Sequence, residues 1–253
     1  MLFAVDGFFS RVGLQFGLRW IHILFGIAWI GLLYYFNFVQ VPAFAAFGDE
    51  AKARNIAIDK LARKALWYFR WAAASTFLTG LLITGSYEKY WSAGLKNPGL
   101  SAIAVGMLLG TIMMLNVWGV IWRNQKVVLA NAANVLAGGQ ADPNAAAAGR
   151  RAFLASRQNT VFSISMLYFM VYKSHGPLIV TSEMSGSKTA LFWIIALVII
   201  AVLEVNALGL MPWKATANKG LNIIYDGKGV QNPIIAAVAL SVVFLIMTEI
   251  CFR

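Results

Sequence analysis

The chain has two histidines, His22 and His175, and each falls inside an apolar run. An imidazole in hydrocarbon is costly, so a histidine at that depth is a functional candidate with a partner to be found. His22 stands in the stretch Arg19-Trp20-Ile21-His22-Ile23-Leu24-Phe25-Gly26-Ile27-Ala28-Trp29-Ile30-Gly31. On a helix His22, Gly26 and Trp29 fall at i, i+4 and i+7 and share one face. Gly26 would leave space one turn from the imidazole, enough for a flat ligand to lie against the backbone. Two imidazoles facing each other from separate helices are what a bis-histidine b-type haem needs, and ligation by nitrogen requires no cysteine. Arg19, three residues before His22, and Lys173, beside His175, are the cations placed to pair with haem propionates. Two other readings fit the same residues. In one, the histidines are polar packing groups and the cations snorkel to the headgroups. In the other, His22 and His175 hold Zn or Cu, for which Glu249 is the one further ligand at that depth.

A second group gathers toward the opposite side: Asn116, Arg123, Gln125, Arg157, Asn159, Glu204 and Asn206. A carboxylate at the depth of Glu204 needs a partner, and Arg157 or Arg123 is the expected one. One reading is an ion pair that locks helices together. The other is a pocket for a polar planar molecule, or a proton path, in which Glu204, Arg157, Asn159 and Asn116 do the chemistry. Tyr34, Tyr35, Trp118 and Trp122 read as interfacial belt residues.

Composition says what kind of element must hold these groups. With 253 residues, 60% hydrophobic and 12% charged, the chain reads as an all-α polytopic membrane bundle. Its mean hydropathy of +0.69 agrees. The net charge of +11 points to basic loops at a membrane surface and not to nucleic acid. Cys251 is the single cysteine, so the chain holds no internal disulfide and no CxxCH motif for covalent haem. Residues 1–9 show no basic n-region or cleavage site, so no removable leader is expected.

One transmembrane domain over 1–253 is expected, with about six spans. Phe3, Phe8, Phe9, Val12 and Leu14 suit an amphipathic start at the interface. The first span covers about 16–39 and is closed by Gln40 and Pro42. Asp49 caps a surface helix that bends at about Arg70 into the second span, 67–86, where Thr76, Gly80 and Thr84 form a small-residue stripe. The turn Asn97-Pro98-Gly99 opens the third span, 100–122. Residues 123–159 are too polar to span and too alanine-rich for a plain loop; they read as a cytoplasmic helical hairpin, with Asp142 as N-cap and Pro143 as first helical residue. Spans four to six follow at about 160–181, 188–210 and 232–251.

With Arg70 counted at the inner end of the second span, the loops after the first, third and fifth spans hold fourteen of the 21 Lys and Arg residues, which is expected to place both termini outside. In that layout His22 and His175 lie at one depth, roughly 9 Å from the outer face.

Three blocks carry a family resemblance. Arg19-Trp20-Ile21-His22 with Gly26-Ile27-Ala28-Trp29-Ile30-Gly31 resembles the first helix of the bacterial membrane urate hydroxylase N-terminal family. Asn116-Val117-Trp118 and Ile121-Trp122-Arg123-Asn124-Gln125-Lys126 resemble its Asn-Val-Trp and Ile-Trp-Pro-x-Gln-Lys pattern, with Arg123 in place of the proline. Ser156-Arg157-Gln158-Asn159-Thr160, then Met166, Phe169, Met170 and His175, resembles its Arg-x-Asn-Thr block ending in histidine. Members typically join a membrane domain to a periplasmic c-type cytochrome domain and are linked to oxidising urate to 5-hydroxyisourate. The resemblance implies a membrane redox protein of the bacterial inner membrane and favours haem b at His22 and His175. Without CxxCH in this chain, the expected electron partner is a separate c-type cytochrome or other redox-complex subunit.

Three functions follow as expectations. The first is an oxidoreductase acting on urate or a similar purine. The second is a non-catalytic electron-transfer or accessory subunit of a respiratory or photosynthetic complex. The third is a transporter, disfavoured because no span has an internal proline of the kind that breaks transporter helices.

Overall fold

A computed structural model describes residues 7, 9–87, 91–176, 183–227 and 229–253, and among these there is no strand. Helix α1 (Arg11–Tyr34) runs through a π-helical turn (Tyr35–Gln40) into α2 (Val41–Ala46) as one rod. Ser10 starts it by accepting the Gly13 N–H at 3.1 Å. The expected stop at Gln40 and Pro42 does not occur. Pro42 falls in the first turn of α2, after a π turn that has already shifted the hydrogen-bond register, so its missing N–H breaks no established ladder. Of the expected interfacial start, Phe3 and Phe8 lie outside the described residues.

Helix α3 (Ala51–Ala57) passes through a second π turn (Ile58–Ala62) into α4 (Arg63–Gly85). Its N-cap position is Glu50, which makes no side-chain capping bond, and not Asp49. Helix α5 (Pro98–Leu115) opens as expected, with the Asn97 side chain accepting the Leu100 N–H at 3.0 Å. A third π turn (Asn116–Ile121) joins it to α6 (Trp122–Leu136). Helix α7 (Ala145–His175) begins two residues later than expected. Asn144 takes the cap position, and Asp142 instead closes the preceding turn by accepting the Asn144 N–H at 2.8 Å. The end of the expected fourth span, from residue 177, lies outside the described residues. Ser185 caps α8 (Gly186–Ala207), and a short 3-10 turn (Gly220–Ile224) leads to α9 (Gln231–Cys251).

The helices pack as an all-α bundle with α7 as its axis, against α5, α6 and α9, while α1 pairs with α4. Phe169 of α7 sits between Phe192 of α8 and Phe244 of α9, at ring-centroid distances of 6.3 and 5.1 Å. Gly106 lets α5 close on α7, since a Cβ there would meet the Phe169 Cβ at 3.1 Å.

Among the described residues four helices are long and apolar enough to cross a membrane: Arg11–Ala46, Pro98–Leu136, Gly186–Ala207 and Gln231–Cys251. Helices α4 and α7 are more polar. Helix α4 carries Ser75, Thr76, Thr79 and Thr84, and α7 carries Arg157 to Thr160, then Ser163 and Ser165. On α7 these groups are buried against protein, which is where a bundle in lipid must keep them. The outward faces of α1, α8 and α9 show Ile27, Ile194, Val198, Ile235 and Ile246, as contact with lipid requires.

Candidate functional site

Of the polar residues expected around Glu204, Asn116 and Asn159 join it where the third π turn meets α7 and α8, while Gln125 lines a separate cavity. Asn116 is the first residue of that turn and is buried. Its Nδ2 donates to Asn159 Oδ1 at 3.0 Å and to Glu204 Oε2 at 3.2 Å. Asn159 in turn donates its Nδ2 to the Met113 carbonyl at 2.9 Å. Both hydrogens of the Asn116 amide are thereby used, and Asn159 is anchored to α5. Glu204 stands at the end of this chain, half-buried, with the Asn116 amide as its hydrogen-bond partner. A carboxylate has several further acceptor positions. The group is therefore a held base with free lone pairs.

The arginine expected to pair with Glu204 does not do so. Residues 157 and 159 are two apart on α7, about 200° around the axis, so Arg157 leaves the helix on the side away from Asn159. Its guanidinium lies over the Phe153 ring at 5.0 Å. Arg157 is 1% exposed, and its Nε and Nη1 have no acceptor. Arg123 is exposed and is likewise not bonded to Glu204.

A neighbouring set was not anticipated. The connection after α8 folds back against the bundle and buries Tyr225 completely. The Tyr225 hydroxyl donates to Gln158 Oε1 and lies 3.3 Å from the Leu203 carbonyl. Asn206 accepts from Trp213 Nε1 at 2.7 Å, and the Nδ2 of Asn206 and Nε2 of Gln158 are buried without acceptors. Arg150 clamps the connection, with Nη1 and Nη2 on the two Asp226 oxygens at 2.6 and 2.7 Å. Burial works to raise the Asp226 carboxyl. The Arg150 hydrogen bonds, the Asn218 N–H and the charges of Arg150 and Arg157 outweigh it, and hold the group below the ordinary 3.8. Nothing in the spacing of Tyr225 or Asp226 marks them in a polar connection; only a signal for its folding back would have found them.

At the other end of the bundle, His22 Nδ1 lies 3.1 Å from Thr79 Oγ1 on α4. That hydroxyl has one hydrogen, which it directs to the Ser75 and Thr76 carbonyls at 2.7 and 3.0 Å. It therefore accepts from His22, which assigns the imidazole hydrogen to Nδ1 and leaves the lone pair on Nε2. Gly80 makes room for the ring, since a Cβ there would be 3.2 Å from His22 Cε1. The gap expected at Gly26 is met by α4: a Cβ on Gly26 would find the Thr76 methyl at 3.9 Å. Arg19 is exposed, with its guanidinium 5.3 Å from the Tyr87 ring centroid. Lys173 lies across Gly99 at the start of α5.

His175 is exposed at the last position of α7. Among the described residues no contact joins it to His22, and no three His, Cys, Asp or Glu side chains gather as metal ligands. For haem b the residues thus fit in part. His22 presents Nε2 with its Nδ1–H held by a neighbour, the arrangement in which an imidazole serves as an iron ligand. The second expected ligand, His175, is exposed at the end of α7.

No curated protein and no solved structure was found to match the chain. The family model described as Urate oxidase N-terminal matches residues 97–248, which include Asn116, Arg157, Asn159, His175 and Glu204 but not His22. That match covers more than half of the chain and takes in every helix that builds the Glu204 network, so this membrane protein belongs to the urate oxidase N-terminal family.

Proposed function

We propose that the protein is the membrane part of a urate-hydroxylase-like oxidoreductase, with a purine such as urate bound at the Asn116–Asn159–Glu204 network. The observation that carries this reading is a carboxylate held at depth by an amide and left with free lone pairs, within the segment matched to the family. Adding the oxygen of water to urate gives 5-hydroxyisourate, two electrons and two protons. Glu204 takes a proton, while Asn116 and Asn159 keep its carboxylate oriented and neutral amides around it. Arg157, buried and with two N–H groups unspent, supplies positive charge that favours a planar anion at this end of the bundle.

The electrons go to a separate partner, either a c-type cytochrome or another redox-complex subunit. Haem b remains in the proposal through His22 as the ligand this chain presents ready-made; when bound, it stores one electron near that end. The protein is assigned to the bacterial inner membrane, with both termini on the periplasmic side.

Titration calorimetry of the detergent-purified protein tests the site. Urate is expected to bind the native protein and to bind Asn159→Ala and Glu204→Ala at least about tenfold more weakly, the worth of one charge-assisted hydrogen bond. Equal affinity in all three would remove the substrate from this network.

A further inference from the structure

The three π-helical turns of the described residues lie on separate helices, yet they border one cavity. Each is marked by an N–H bonded five residues back: Val41 to Phe36, Arg63 to Ile58 and Trp122 to Val117. A π turn is a rare departure from regular helical geometry, and such turns are frequent at functional sites. The first turn places Phe36, Asn37 and Gln40 on the cavity wall, the second Ile58 and Ala62, and the third Ile121. The cavity is partly open, its volume is about 190 Å³, and no charged residue lines it.

Its walls are aromatic, with Phe36 edge-on to Phe69 at a centroid distance of 5.3 Å, and Phe153 contributed by α7. Its polar fringe is neutral and only partly used. Asn37 spends both amide hydrogens, on the Leu33 carbonyl and on Ser156 Oγ, each at 2.8 Å. Ser156 Oγ therefore accepts and keeps its hydrogen to donate. Gln40 Oε1 is buried with no donor at all, which costs stability unless something fills that place. Val41 and Phe44 of α2 form one side, where α2 meets the outer surface beside exposed Ala43 and Ala45.

We propose that this cavity binds the uncharged hydroxylated ring of a membrane quinol. The ring fits between phenylalanine walls, one hydroxyl donates to Gln40 Oε1, and Ser156 or the Gln125 amide serves the far oxygen. The absence of charge in the lining disfavours an anionic ligand, because no lining side chain would repay the desolvation of an anion and Phe153 stands between the cavity and Arg157. A tail leaves along α2 toward lipid. This site is separate from the Glu204 network and does not depend on the urate reading.

Thermal-shift and calorimetric titration with ubiquinol-1 in detergent tests the proposal. Ubiquinol-1 should stabilise the native protein. Gln40→Leu should weaken it by about tenfold, the cost of one lost hydrogen bond, while raising the melting temperature of the ligand-free protein because the orphaned acceptor is gone. Gly149→Leu provides a second variant. A Cβ at Gly149 makes only ordinary contact, 3.7 Å from Val128, and the rest of the side chain would occupy the cavity. It should fold with unchanged or higher melting temperature and show no ubiquinol-1 shift. Absence of any shift in the native protein, undiminished binding in either variant, or displacement of ubiquinol-1 by urate would each overturn the assignment.

Discussion

Glu204 has an amide, and no arginine, as its hydrogen-bond partner, and this changes what its replacement should do. Were it the counter-ion of a buried arginine, its loss would leave a lone charge at a cost of about 3–5 kcal/mol. With Asn116 as partner, Glu204→Gln keeps the size and an oxygen acceptor. Its melting temperature should stay close to native while urate-dependent electron release is lost. Asn116→Ala should be the more damaging change, because it leaves both Asn159 Oδ1 and Glu204 Oε2 without their donor, at about 1–3 kcal/mol for each buried group. Denaturation of the two variants side by side separates these cases. Equal destabilisation would point to an unrecognised partner for Glu204. For His22 the test is spectroscopic. If a b-type haem is present, His22→Ala should abolish or shift its reduced band, and an unaltered band would assign the iron elsewhere. Asn116 and Glu204 were legible because each is a polar group in an apolar run, whereas Asn159 belongs to the polar stretch Ser156–Thr160 just before the fourth apolar run. The arginine pairing was not, because it depended on which side of α7 Arg157 leaves, two residues from Asn159. Asn37 was overlooked although it offered the same signal, a lone amide within the first apolar run.

The helices themselves were readable from apolar length and from the turn at Asn97-Pro98, whose asparagine caps α5. The π turns were not, since a single wide turn leaves the apolar periodicity almost unchanged. The start of α7 was read two residues early because Asp142-Pro143 has the composition of a helix start, yet its carboxylate serves a turn. The connection after α8 is the element whose structure departs furthest from a plain loop, and Arg150–Asp226 is its clamp. The folded carboxyl lies below its ordinary 3.8, so the clamp's contribution is fully present above that value. It is lost as pH falls through the lowered one. Hydrogen exchange over residues 211–227, corrected for intrinsic rates, should therefore show stable protection down to about pH 4 and loss below it. Asp226→Asn should be weakly protected at every pH. Protection independent of both acid and the substitution would mean that Tyr225 and Asn222 hold the connection unaided.

On the scale of the molecule, α7 is an axis whose polar half is hidden from lipid and whose neighbours supply the apolar exterior. The basic residues divide unequally between the expected ends: with Arg70 counted at the start of the second span, fourteen of 21 belong to the side of the loops after the first, third and fifth spans. Reporter fusions should accordingly place residue 140 in the cytoplasm and residue 253 in the periplasm; a periplasmic signal at 140 would invert the layout. The central claim is that urate is oxidised here with water as the oxygen source and a separate redox protein as acceptor. An anaerobic assay addresses it most directly, with the purified protein, urate and added ferricytochrome c. The account predicts two cytochromes reduced for each urate consumed, formation of 5-hydroxyisourate, and no reaction with Glu204→Gln. Urate turnover that requires oxygen and proceeds without any added acceptor would contradict it.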